Sequence, residues 1–157
     1  MKQENARLGE ILMKKRWIGE GPLNEALHEQ KSTREFLGRI LVRRKYLTEE
    51  QLAQALSEQF HLPFVRLKNF YVDWDLVMGF SASLILEHRC FPLIQKDNSM
   101  TMGITNPLDA WAIEKVEEEA RGRQVKFALG LESEMQELLD RYRQHVNIRI
   151  RHLLDQD

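Results

Sequence analysis

RLGEILMKKRWIGEGPLNEALHEQ, residues 7–30, is followed five residues later by FLGRILVRRKYLTEEQLAQALSEQ, residues 36–59, and this pair decides the fold. A shift of 29 positions superposes them with ten of 24 residues identical: Leu8/Leu37, Gly9/Gly38, Ile11/Ile40, Leu12/Leu41, Glu20/Glu49, Leu23/Leu52, Ala26/Ala55, Leu27/Leu56, Glu29/Glu58 and Gln30/Gln59. Charge is kept at Lys14/Arg43, Lys15/Arg44 and Arg16/Lys45, and aromaticity at Trp17/Tyr46. A stretch that keeps glycine, apolar spacing and terminal glutamine together is one structural unit used twice. Two copies are too few for a solenoid, which needs about three for a continuous core.

Within each copy the apolar period is helical. Leu8, Ile11, Leu12 and Lys15 share one face, Trp17 and Ile18 close a turn, and Leu23, Ala26, Leu27 and Gln30 share a second face. Gly19 marks the break and Pro22 suits the first turn of the next helix. In the second copy Thr48 and Gln51 form a capping-box pattern, with Glu49 and Glu50 at the positive helix start. Each repeat therefore predicts a helix-turn-helix pair, the two joined by the polar spacer KSTRE, and residues 1–62 predict a helical amino-terminal layer.

His61-Leu62-Pro63 ends the helices, because the residue before proline avoids helical angles. Phe64, Val65 and Leu67 then read as a short extended segment. Asp73 reads as the cap for helical turns over 73–79, and Ser81 or Ser83 for a helix to about His88. CFPLIQ and SMTMGIT flank Lys96-Asp97-Asn98 and predict a β-hairpin. Asn106 as cap and Pro107 at the first position open a helix with Leu108, Trp111, Ala112, Lys115 and Val116 as its buried stripe, ending at Gly122. Val125, Phe127 and Leu129 alternate as a strand and Gly130 breaks it. Leu131, Met135, Leu138, Leu139 and Tyr142 define a final helix that can run on through Val146, Ile150, Leu153 and Leu154. Residues 63–157 thus predict a small mixed or antiparallel sheet with packed helices, and the fold class is α+β.

At 157 residues the chain holds one domain or two small ones. Hydrophobic content of 43%, charged content of 30% and a net charge of -1 describe an ordinary globular chain with no general attraction to nucleic acid. The single cysteine, Cys90, precludes an internal disulfide framework and fits a reducing compartment. The start MKQENARLGE lacks the apolar core of a secretory signal, and no apolar run reaches the roughly 18–20 residues of a membrane span, so a cytoplasmic location without direct membrane insertion is expected.

No catalytic or metal-binding pattern emerges, and no enzyme activity or cofactor is expected. The phosphate-loop signature is absent, the histidines His28, His61, His88, His145 and His152 are scattered, and Cys90 has no activating base nearby in sequence. Trp74 and Trp111 read as core, and Glu117-Glu118-Glu119 as a solvated helix face. The cations Lys14, Lys15, Arg16, Arg43, Arg44 and Lys45 fall at helix ends, where they complement the negative terminus, with a patch for an anionic ligand as the competing reading. The paired turns Arg7-Leu8-Gly9 and Phe36-Leu37-Gly38 stand apart. Glycine permits close approach of a ligand or a neighbouring helix. An arginine can lie on a base or fork onto a phosphate. Gln30 and Gln59 can offer donor and acceptor to a base edge, or simply tie down a loop.

The pattern RLG-x-x-L…L-x-x-x-L-x-x-Q, repeated after five residues, resembles the amino-terminal domain of type II secretion and type IV pilus assembly ATPases, in the branch that binds cyclic di-GMP through two tandem motifs of this kind. SEQFHLPFVRL, CFPLIQ and MGITNPLDAWAIEKV are similar to the family's downstream segments in the same order. The resemblance implies a cyclic di-GMP surface of Arg7, Leu8, Gly9, Leu12, Gln30, Leu37, Gly38, Leu41 and Gln59, with leucines supporting the bases. It implies a regulatory or docking role, with the ATPase motor domain or an inner-membrane platform protein as partner and, through that partner, a peripheral place at the membrane. The chain departs from the family at Phe36, where arginine is expected, at Arg16 and Lys45, which replace a glycine after each first helix, and at Asn106, where many relatives carry aspartate. The alternative is a protein-docking module that binds the cytoplasmic part of an inner-membrane secretion component without nucleotide.

Overall fold

Four helices carry the repeats in the computed structural model, which describes residues 2–156: α1 (Lys2–Lys14), α2 (Glu20–Thr33), α3 (Leu37–Arg43) and α4 (Glu49–Phe60). They belong to a compact unit, Met1–Phe64; a second unit comprises Val65–Asp157. In the first unit α1 packs on α4 and α2 on α3, so each repeat's first helix rests on the other repeat's second. Leu8, Leu12, Leu37, Ile40, Leu41 and Leu56 fill the space between them, all at 1% exposure or less. The capping box is formed: Thr48 Oγ1 accepts from Gln51 N at 3.1 Å and Gln51 Oε1 from Thr48 N at 3.0 Å. His61 ends α4 in the left-handed region, at φ 54°.

Two expectations for this unit change. The helix α2 runs through Thr33, so three residues of the polar spacer are helical, and Arg34 ends the helix in the left-handed region with φ 57°. Arg7-Leu8-Gly9 is not a turn but the middle of α1, because residues 2–6 contain no breaker and Glu4 favours a helix start.

The second unit begins with Val65, whose N–H donates to Leu129 O at 2.9 Å. A 3-10 turn (Leu67–Asn69) and two short helices, α5 (Trp74–Val77) and α6 (Ala82–Leu86), follow. Asp73 and Ser81 cap these helices through Leu76 N and Leu84 N. The hairpin β1 (Phe91–Lys96) and β2 (Ser99–Ile104) is antiparallel, α7 (Ala110–Glu119) crosses over, and β3 (Gln124–Leu129) returns parallel to β2. The sheet is therefore mixed, in the order β1-β2-β3. Pro92 is tolerated because β1 is an edge strand and the register shifts between Pro92 and Ile94. The last helix, α8 (Glu132–Leu154), continues well past its buried residues Met135, Leu138, Leu139 and Tyr142.

Leu67, fully buried, lies over two bare backbones of this sheet: a Cβ on Gly130 would stand 2.5 Å from its Cγ and Cδ1, and one on Gly103 3.1 Å from its Cδ2. Beside it, Arg66 Nε and Nη2 donate to Glu134 Oε2 at 2.9 and 2.8 Å. Burial pushes the Glu134 carboxyl up, but Arg66, helped by the Lys68 and Leu67 backbone N–H groups, outweighs it and holds the carboxyl below its usual range.

Around α7 the structure corrects the sequence reading. Asn106 does not cap the helix; its Oδ1 accepts from Leu108 N at 3.0 Å, closing a local turn, and Asp109 is the cap through Ala112 N at 3.0 Å. The helix begins later than proline suggested, and Trp111 is 51% exposed rather than core. Its ring covers His88, centroids 4.3 Å apart, while His88 Nδ1 lies 2.7 Å from Asp109 Oδ2. Trp74 is half-buried and stacks on His145 at 4.2 Å. Glu119 is not merely solvated: its carboxylate accepts from Ser81 N at 2.6 Å and Ser81 Oγ at 2.8 Å, tying α7 to the start of α6. Cys90 is buried as expected, and burial, with Asp109 adding, pushes its thiol up to about 12.

Gly130→Ala should destabilise the protein by about 1–3 kcal/mol in urea unfolding, since the added methyl displaces a packed leucine. Arg66→Met should lower stability by about 1–3 kcal/mol at neutral pH by leaving Glu134 without its guanidinium. Because the folded carboxyl is held below its ordinary 4.5, the stabilisation is present above that pH and lost as pH falls through the lowered folded value; Arg66→Met should flatten this acid limb.

Candidate functional site

Two helices of each repeat meet where a leucine presses on a glycine. A Cβ on Gly9 would stand 3.1 Å from Leu23 Cδ2, and one on Gly38 would stand 2.5 Å from Leu52 Cδ1 and 2.9 Å from Phe36 Cε1. Leu23 and Leu52 occupy the same position in the two repeats, so the glycines serve helix packing in both. Leu8, Leu12, Leu37 and Leu41 lie fully inside, which limits them to supporting a surface from beneath.

The glutamines are likewise engaged with the chain itself. Gln30 Nε2 donates to Glu35 O at 3.0 Å while its Oε1 accepts from Asn5 Nδ2 at 2.6 Å. Gln59 Nε2 donates to Glu4 O at 3.0 Å. Each terminal glutamine thus reaches the beginning of the other repeat's first helix, or the segment leading to it. This is the polar counterpart of the helix exchange. Sequence reasoning missed Asn5, which is 9% exposed and has no counterpart in the second repeat, where Arg34 stands. Among the described residues, Asn5 Oδ1 and Gln59 Oε1 are buried acceptors without a donor.

Of the nine residues in the expected surface, Arg7 is the exposed one, and it makes no hydrogen bond or ion pair with the described residues. Lys14 follows seven residues later on α1, on the same helix face and roughly 10 Å along the axis. Glu10 lies on the neighbouring row and moderates that charge. Phe36, the counterpart of Arg7 in the second repeat, is the extended residue before α3, with its ring against Gly38.

The cations at the ends of α1 and α3 divide into two groups. Arg43 pairs with Glu29 and, at 3.4 Å, with Glu35; Arg44 Nε donates to Glu29 Oε2 at 2.5 Å. Tyr46 Oη donates to Glu25 Oε2 at 2.5 Å, and Lys15 pairs with Glu58 at 3.0 Å. Arg43 first, with Arg44, holds the Glu29 carboxyl below its usual range against its partial burial. These cations stitch helices together and are not free for an anion. Arg16 and Lys45, at φ 58° and 62°, are the left-handed residues that follow the first helices, where a glycine would sit without strain. Both are exposed, as is Lys14. Among the described residues no group of three or more His, Cys, Asp or Glu could hold a metal ion, and no helix is long and apolar enough to cross a membrane.

The family model described as "MshEN domain" matches residues 60–147, downstream of the repeats. A solved structure of MshE with cdg (cyclic di-GMP) is similar over 87% of this chain and 98% of that one, at 27% identity and a TM-score of 0.76. The amino-terminal domain of XpsE is similar in two crystal forms. The first covers 88% of this chain and 94% of the other at 22% identity and TM-score 0.70. The second covers 87% and 94% at 25% identity and TM-score 0.57. No curated protein matches the chain by sequence.

Lys45→Gly, which relieves a left-handed side chain, should raise stability by up to about 1 kcal/mol in chemical denaturation, and Arg16→Gly should do the same.

Proposed function

The chain belongs to the MshEN domain family, the amino-terminal domain of type II secretion and type IV pilus assembly ATPases, and from that premise we propose that it is a non-catalytic regulatory module whose tandem repeats bind cyclic di-GMP. The observation that carries this reading is Arg7. It is the one residue of the expected surface that combines exposure, positive charge and freedom from an internal partner, and it projects from a helix rigidly backed by Leu8, Leu12 and Gly9. Lys14 adds a second exposed cation on the same face of α1, roughly 10 Å along the axis. Likeness to the MshE structure with cyclic di-GMP, which extends over the repeats as well as the family-matched segment, supports the same ligand.

The two half-sites are unequal on this reading. Phe36 offers a ring face where the first repeat offers a guanidinium, so the second half-site would stack on a base and leave phosphate to the first. The ligand would bias docking onto a motor domain or an inner-membrane platform protein by binding one arrangement of the module better than another.

A docking module without nucleotide is the second reading, and a specific observation favours it: Arg43 and Arg44, the natural substitutes for the missing arginine, are already committed to Glu29. Titration calorimetry with cyclic di-GMP separates the two. Binding should appear in the micromolar range and weaken at least tenfold, about 1.4 kcal/mol, in Arg7→Ala. That variant should unfold at the same urea concentration as the wild type. No heat from the wild type at high micromolar ligand would leave the docking reading, to be tested by pull-down with platform proteins.

A further inference from the structure

The last helix outruns the unit it belongs to. After Tyr142, the last residue of α8 buried in the core, its apolar face continues through Val146, Ile150, Leu153 and Leu154, of which Ile150, Leu153 and Leu154 are 50%, 64% and 68% exposed. At 3.6 residues per turn these four side chains fall within about 100° of the helix circumference. Ile148 stands outside that stripe.

The charge of the same segment is one-sided. Between Asp140 and the capping Asp155, α8 carries Arg141, Arg143, Arg149 and Arg151, with His145 and His152, and no carboxylate, in a chain of net charge -1. Arg141 lies over the Trp74 ring at 6.0 Å and Arg143 pairs with Asp140 at 3.3 Å. Arg149 and Arg151 have no partner among the described residues, and on the helix wheel they border the apolar stripe on its two sides. The helix macrodipole accounts for cations in the last turn, not for an apolar stripe between them.

We infer that the carboxy-terminal half of α8 is an interfacial helix that lies on an anionic lipid surface, with Val146, Ile150, Leu153 and Leu154 among the acyl chains and Arg149 and Arg151 at the headgroup phosphates. An apolar sector bordered by cations whose stems can reach up to the headgroups is the pattern such helices use. A second copy is a poorer occupant, because two such faces in contact would bring Arg149 and Arg151 near the same residues of the other chain. The helix lies on the surface and does not cross it, in keeping with its length and charge. This contact would be direct, beside any that a protein partner makes, and it is independent of nucleotide binding by the repeats.

Co-sedimentation of the whole chain with vesicles of phosphatidylcholine, alone or mixed with phosphatidylglycerol, tests the inference. Binding is expected to the mixed vesicles and not to phosphatidylcholine alone, and should weaken as salt is raised. Arg149→Ala with Arg151→Ala should lower partitioning on the order of 25-fold, at roughly fivefold per arginine near an anionic surface. Ile150→Glu with Leu153→Glu should abolish it. All four positions are exposed, so circular dichroism should be unchanged; were the glutamate pair to unfold, the arginine pair and the salt series would still decide. Failure of the wild type to sediment with mixed vesicles, or equal binding to both kinds, would overturn the inference. So would a concentration-dependent dimer abolished by Ile150→Glu, which would assign the stripe to a second copy.

Discussion

A leucine resting on bare backbone is the contact on which both units depend. In the repeats it is Leu23 on Gly9 and Leu52 on Gly38; in the second unit it is Leu67 over Gly130 and Gly103. In each case the missing Cβ lets two elements approach more closely than side chains would permit, and the leucine converts that proximity into buried apolar area. The repeat needs this twice because its helices are short: α3 has seven residues, and a helix of that length is not stable without tertiary packing. Exchange of partners, α1 on α4 and α3 on α2, means neither repeat buries its apolar face alone.

Electrostatics separates structural cations from available ones. Arg43, Arg44 and Lys15 pair with carboxylates on neighbouring helices, and Arg66 is matched to the buried Glu134. Arg7, Lys14, Arg149 and Arg151 are exposed and unmatched. Formal charge counts all of them alike, which is why the net value of -1 carried no hint of which cations are left unpaired. Exposed ion pairs contribute little stability individually, so the paired group matters most for fixing which helix lies against which.

Local chemistry was readable where a side chain acts on its own neighbourhood. Thr48 and Gln51, Asp73, Ser81, the hairpin around Asp97 and the alternation of Val125, Phe127 and Leu129 all fold as their spacing predicts. Errors arose where two local signals competed. Asn106 and Asp109 are both good caps three residues apart and a proline follows the first, yet it is Asp109 that accepts from the helix N–H of Ala112. Trp111 follows helical spacing, yet its ring lies over the His88–Asp109 pair at the surface. Arg7-Leu8-Gly9 looked like a turn because its counterpart follows a spacer, whereas nothing in residues 2–6 interrupts a helix.

The sequence by itself determined the duplication, the helix pairs, the order of helices and strands in the second half and the family to which the chain belongs. The first three follow from periodicity and from residues acting within a few positions of one another, and the family from the resemblance of the repeat and the segments after it. Only the tertiary structure decided which candidate site residues reach solvent. Leu8, Leu12, Leu37 and Leu41 are interior, both glycines serve packing, and both glutamines bond to the chain, leaving Arg7 exposed. That outcome depends on which helix rests on which. The repeat's own pattern cannot encode it, because the same leucines and glycine would suit packing within a repeat or between repeats.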